Sequence, residues 1–234
     1  MTKLASLLFI TFIILFTSCK KEISDLEFEK NVMTEIFPAL IDSTCIDYRL
    51  FSFVKPPLYG KTIFDENGNE IGIDTTNAKA KYEHDVLEAK SKMAQIEKDT
   101  SKLIVAFNPI LKYNEEDLSE YFKTHFKNAK PLIPKEKKDS VYVFEYKNIK
   151  LPNKFKLRDI SRFPKGREIW KPKYPFVFSG VVYFTRIQFD QDKKFGILNG
   201  GFTCGRLCGQ GFRIFIKKVN EKWIIDEIEG TWVS

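Results

Sequence analysis

The sequence predicts an α+β fold, with N-terminal helices packed on an antiparallel sheet that ends in a four-stranded meander. Three observations predict it. Apolar residues recur at helical spacing through the first half of the chain, and from Phe176 onward they alternate at period two. The composition, 43% hydrophobic and 15% aromatic against 29% charged, is that of a chain that buries a core. At 234 residues there is material for one good core or two small ones, and we expect a single domain over residues 24–234.

The chain opens on Lys3 followed by a 13-residue uncharged run from Leu4 to Phe16. At ~1.5 Å per helical residue the run covers about 20 Å, short of a bilayer core of roughly 30 Å. A positive start and a short apolar run read as a secretory signal over residues 1–18. The run closes in Phe16-Thr17-Ser18-Cys19-Lys20-Lys21. Small residues before a cysteine at this place resemble the lipobox of bacterial lipoproteins, with Phe16 standing where leucine is usual. The resemblance implies cleavage after Ser18 and lipidation of the Cys19 sulfur. It also implies outer-membrane delivery, because Lys20 rather than aspartate follows the cysteine. An uncleaved signal anchor is the other reading, and both place residues 20–234 outside the cytoplasm on a membrane. Cleavage removes one lysine and no acid, so the net charge falls from +7 to +6. Nucleic acid is excluded as a partner by that location.

After a short tether, residues 19–23, Ser24-Asp25-Leu26-Glu27 has the spacing of a capping box. Leu26, Val32, Met33, Ile36, Phe37, Leu40 and Ile41 then predict a helix over 24–42. Residues 46–54 read as extended, stopped by Pro56-Pro57. Lys61 to Asp65 and Glu70 to Asp74 flank Asn67-Gly68, a hairpin signal. Residues 76–99 read as a second helix with Tyr82, Val86, Leu87, Met93 and Ile96 inward. Leu103 to Phe107 reads as a short buried strand ending at Pro109. A third helix, Glu115 to Phe126, presents Leu118, Tyr121, Phe122 and Phe126 on one face.

Residues 127–175 hold 15 Lys/Arg against five Asp/Glu and six of the ten prolines. Val141 to Tyr146 reads as a core strand there and the remainder as irregular. Aromatic residues interleave with the cations, and Lys154, Lys156, Arg158, Arg162, Lys171 and Lys173 are the candidates for an anion-binding face. The bland alternative is a solvated basic face over core aromatics. The meander over 176–233 takes Phe176 to Ile187, Phe195 to Cys204, Phe212 to Val219 and Trp223 to Val233, with turns at Gln191-Asp192-Lys193 and Asn220-Glu221-Lys222.

Six of the twelve glycines fall between 196 and 211, where the backbone needs positive φ or a close approach. Cys204-Gly205-Arg206-Leu207-Cys208-Gly209-Gln210-Gly211, followed by Lys222-Trp223, resembles a C-terminal hairpin of uncharacterised small bacterial lipoproteins. The resemblance covers about the last quarter of the chain and implies no activity. Cys204 and Cys208 flank three residues, and opposed hairpin positions lie within disulfide reach at ~4.5–5.5 Å. A structural disulfide is expected in an oxidising compartment. Thiol exchange lacks the helix start that lowers a thiol pKa, and a metal clip lacks nearby histidines. Cys45 is left over, buried or paired with one of the two.

Other patterns fall short of chemistry. Asp65 to Asn69 lacks the later ligands of a calcium loop, and Asp190 with Asp192 reads as a turn. Glu83-His84-Asp85 and Glu88 have no second imidazole for a zinc-protease helix, and His125 reads as packing. No nucleophile elbow, phosphate loop or paired-carboxylate motif is present, so no catalytic residue, cofactor or metal is assigned. The expectation is a non-catalytic envelope lipoprotein that binds a partner protein, lipopolysaccharide or an anionic glycan at the outer membrane. The alternative is an envelope-acting hydrolase whose carboxylates converge only in the folded chain.

Overall fold

The computed structural model describes residues 23–52, 59–76, 78–114, 116–132, 141–151 and 154–234. The signal segment, Cys19, the tether as far as residue 22 and the Pro56-Pro57 stop lie outside the described residues. Helix α1 (Asp25–Thr44) begins as the capping box predicts, with the Ser24 hydroxyl accepting the Glu27 N–H at 3.2 Å. Val32, Met33, Ile36, Phe37, Leu40 and Ile41 are all buried along one stripe, and each fully buried aliphatic chain contributes about 1.5–3 kcal/mol. Phe37 anchors that stripe among the rings of Phe107 and Phe144, at 5.2 and 4.9 Å.

The extended segment expected after α1 is instead one helical turn, α2 (Arg49–Ser52). The cause is Asp47, whose carboxylate is buried and accepts both the backbone N–H and the guanidinium of Arg49. Lys154 Nζ reaches the same carboxylate at 2.7 Å, and Arg49 also pairs with Asp99. Burial pushes the Asp47 carboxyl up, but the hydrogen bonds from Arg49 and Lys154 outweigh it and hold it below its usual range. A local turn signal thus depends on a lysine more than a hundred residues away.

Strands β1 (Lys61–Phe64) and β2 (Glu70–Asp74) form the predicted hairpin. Its turn is tied by the Asp65 carboxylate, which accepts the N–H groups of Asn67 and Asn69 at 2.8 Å each. Helix α3 (Ala78–Lys98) forms near its predicted bounds but not with the predicted burial. Leu87 is 67% exposed and Met93 37%, and Ala78 is the one residue of the helix buried outright. The interior is closed by α1 without this helix, so its apolar positions stay at the surface.

The large sheet is built from β3 (Leu103–Phe107), β6 (Phe155–Asp159), β7 (Phe178–Phe184), β8 (Gln188–Phe189), β9 (Phe195–Gly205), β10 (Cys208–Val219) and β11 (Lys222–Val233). Its order is β11-β10-β9-β7-β3-β6, with β8 also paired to β9. The mixed α+β class and the antiparallel meander β7-β9-β10-β11 are as the sequence predicts. The other half of the sheet adds parallel pairs, β3 with both β6 and β7, and β6 lies in a stretch that reads as irregular. Strand β3 is buried along its whole length, which suits its unbroken apolar run. Strands β4 (Ile110–Lys112) and β5 (Val141–Val143) make a separate pair, and Tyr142, Phe144 and Tyr146 enter the core as expected.

Short helix α4 (Ser119–His125) lies on the sheet face opposite α1, placing Leu118, Phe122 and Phe126 against Ile197 and Phe215. His125 stacks on Phe215 at 3.9 Å and meets Asp226 through Nε2 at 3.0 Å. Asn220 and Glu221 both take positive φ, as a two-residue hairpin turn requires. Asp190 belongs to a turn, as expected: it accepts the N–H groups of Lys194 and Phe195. Among the described residues no helix is long and apolar enough to cross a membrane.

Cys204 and Cys208 are disulfide-bonded, with Cα atoms 5.1 Å apart. They are not directly opposed: Cys208 pairs with Gly205 around a two-residue turn, and the register shifts by Gly209. Cys45 is free and buried, and burial pushes its thiol well above the usual range, so it is a core residue. A disulfide closing so short a loop adds little chain entropy. Cys204→Ser is therefore expected to lower unfolding free energy by about 1–2 kcal/mol in denaturant titration. Complete loss of folding would show that the bridge does more than close its loop.

Candidate anion-binding cleft

Strand β6 is the outermost strand of the large sheet, so one of its edges is unpaired by the sheet. Alternation along it sends Phe155 and Leu157 toward the core and leaves Lys156 and Arg158 facing outward. The strand ends in a 3₁₀ turn, Ile160–Arg162, capped by the Asp159 carboxylate accepting the Ser161 N–H at 2.9 Å. That turn swings Arg162 back beside the strand.

A cleft of about 740 Å³ follows this edge and is lined by Lys102, Lys147, Lys156, Arg158 and Arg162, with Asp159 the one carboxylate among its described lining residues. Tyr146, Ile149, Leu151, Phe155 and Leu157 form the apolar part of the lining. The Arg158 guanidinium lies over the Phe176 ring at 4.1 Å, which holds the side chain in place while its charge stays accessible. Hydrogen bonds from Ser161, with Lys147 and Arg162 nearby, hold the Asp159 carboxyl below its usual range. Asp159 is thus a fixed anion committed to its cap and cannot serve as a proton donor near neutral pH. A low-dielectric wall lined by one sign of charge focuses field and draws anions of opposite sign. Two arginines can also hold phosphate or carboxylate groups through paired N–H donors.

The six cations singled out in the sequence divide on folding. Lys156, Arg158 and Arg162 come together on the cleft. Lys154 is held by the buried Asp47 carboxylate, and Lys171 meets Glu168 at 2.7 Å on the surface, outside the lining. Lys173 is exposed and outside the lining. Two further cations line the cleft, Lys102 and Lys147. Lys102 precedes β3 and arrives through the parallel register that sets Leu103 against Phe155, a pairing with no local sequence signal.

Two other groupings are less suited to chemistry. Glu145 and Asp159 share a hollow of about 320 Å³, but Asp159 is already fixed by Ser161. His84, Asp85 and Glu88 bring one atom each within 4.8 Å on the surface of α3, yet Asp85 and Glu88 are answered by Lys81 and Lys92. The chain matches no known protein family, no curated protein and no solved structure.

Proposed function

We propose that this chain is a non-catalytic envelope lipoprotein, anchored through Cys19 to the outer membrane, that binds phosphate- or carboxylate-bearing envelope glycan in the β6 cleft. The observation that carries the reading is the cleft's charge, five cations against one capped carboxylate among its described lining residues. Lipopolysaccharide phosphates and acidic sugars have the chemistry to match it. The lipobox pattern and the short tether support a site close to the bilayer, where such groups are dense.

The test is binding to phosphatidylcholine vesicles with and without lipopolysaccharide across a salt series. The unchanged protein is expected to prefer the lipopolysaccharide vesicles, with affinity falling as salt screens the charges. Arg158→Glu with Arg162→Glu is expected to weaken that binding by about tenfold or more, each tenfold being 1.4 kcal/mol. Lys171→Glu with Lys173→Glu is expected to have a much smaller effect, since neither residue lines the cleft. Equal losses from both pairs, or binding insensitive to salt, would remove the cleft from the account.

A further inference from the structure

Helix α4 covers only part of the sheet face opposite α1. Beyond it the same face opens as a trough of about 590 Å³. Two of its lining residues, Tyr183 on β7 and Trp232 on β11, share one register row with Gly201 on β9 and Gly211 on β10. A Cβ on Gly201 would stand 2.7 Å from the Tyr183 ring, and one on Gly211 would collide with the Trp232 indole. Both rings therefore lie across bare backbone, and both stay accessible, at 39% and 42% exposure. None of the six glycines between 196 and 211 takes positive φ, so close approach of aromatic rings is what Gly201 and Gly211 provide.

The next row of the trough is polar. Arg213 Nη2 donates to both oxygens of Glu116 at 2.7 and 2.9 Å, and its guanidinium lies 3.4 Å from the centre of the Tyr121 ring. Asn199 Nδ2 donates to the same carboxylate at 3.2 Å. Burial pushes the Glu116 carboxyl up, but Arg213 outweighs it and holds the group below its usual range, so the pair is ionised and neutral overall. Among the described residues, the donor Arg213 Nε and the acceptor Asn199 Oδ1 are buried without a hydrogen-bond partner. Their residues are directly paired across β9 and β10, and both line the trough.

We propose that this trough binds a neutral sugar ring. A sugar hydroxyl both donates and accepts, and the Glu116 carboxylate, 41% exposed on this polar row, offers it an acceptor. The apolar face of a pyranose fits the half-exposed rings of Tyr183 and Trp232. An anion finds Arg213 already spent on Glu116, and a purely apolar ligand would cover the accessible Glu116 carboxylate without answering it. The site is separate from the basic cleft and does not depend on it: the two linings share no residue.

The experiment titrates the full chain, held in a detergent without a sugar headgroup, with maltotetraose, cellotetraose and N-acetylchitotetraose, reading calorimetric heat and tryptophan fluorescence. Saturable binding of at least one is expected, weakened about tenfold or more by Trp232→Ala and by Tyr183→Ala. Both rings are exposed, and thermal melting of each variant verifies that it is folded. Arg158→Glu is expected to leave sugar binding unchanged. No saturable binding of any of the three overturns the proposal, as does binding that the two aromatic variants leave intact. A loss in Arg158→Glu equal to that in Trp232→Ala overturns it too, by placing the sugar in the basic cleft.

Discussion

Glu29→Ala is expected to lower the unfolding free energy by about 3–5 kcal/mol, the largest stability loss among the substitutions considered. Glu29 is 2% exposed on α1, and Arg186, 7% exposed, follows β7. The carboxylate accepts Arg186 Nη2 at 2.6 Å and Nε at 3.0 Å, and the Ile187 N–H at 3.0 Å. The guanidinium also lies over the Tyr113 ring at 4.1 Å. Removing the carboxylate takes from the buried Arg186 and the buried Ile187 N–H the acceptor they share, and that lost pairing is what the variant exposes. Equilibrium unfolding in urea measures it. Replacing both members, Glu29→Leu with Arg186→Met, is expected to recover a large part of the loss, because well-packed apolar chains avoid the desolvation altogether. A double variant no more stable than Glu29→Ala would mean that the pair is needed for more than mutual neutralisation.

Cys19→Ala is expected to move the protein from the membrane fraction to the soluble fraction. Acyl chains hold a protein by about 0.8 kcal/mol per buried methylene, so two or three chains anchor firmly and none anchors not at all. Fractionation of cells carrying each form reads the difference. Persistent pelleting of Cys19→Ala after detergent-free washing would contradict lipidation and favour an uncleaved apolar anchor.

What the sequence discloses is what is decided locally. Helix α1 begins at a capping box and shows its buried stripe at three- and four-residue spacing, and both survive folding because neighbours within the helix set them. The turn at Asn220-Glu221 and the alternation of β9 to β11 are local in the same sense. Helix α2 is not: it forms because Asp47 gathers Arg49 and Lys154, and the latter comes from the far side of the sequence. Helix α3 has a stripe that promises burial, yet burial needs a partner face, and α1 already fills the interior. Strand β6 is hidden by its charges, since Lys156, Arg158 and Asp159 interrupt an apolar signal of only Phe155 and Leu157.

The candidate sites follow the same division. Lys156, Arg158 and Arg162 stand close in sequence, so their gathering was open to view. Lys102 joins them through strand pairing, and Lys147 from the turn that precedes the strand. In the trough, the glycines mark a place where something approaches the backbone, but the approaching rings belong to other strands and only register identifies them.

The most direct measurement is lysine acetylation of the full chain with and without lipopolysaccharide, read by mass spectrometry at each site. The account predicts protection concentrated at Lys102, Lys147 and Lys156, with Lys171 and Lys173 labelled alike in both conditions. Protection spread evenly over all five, or confined to Lys171 and Lys173, would contradict a binding site in the β6 cleft.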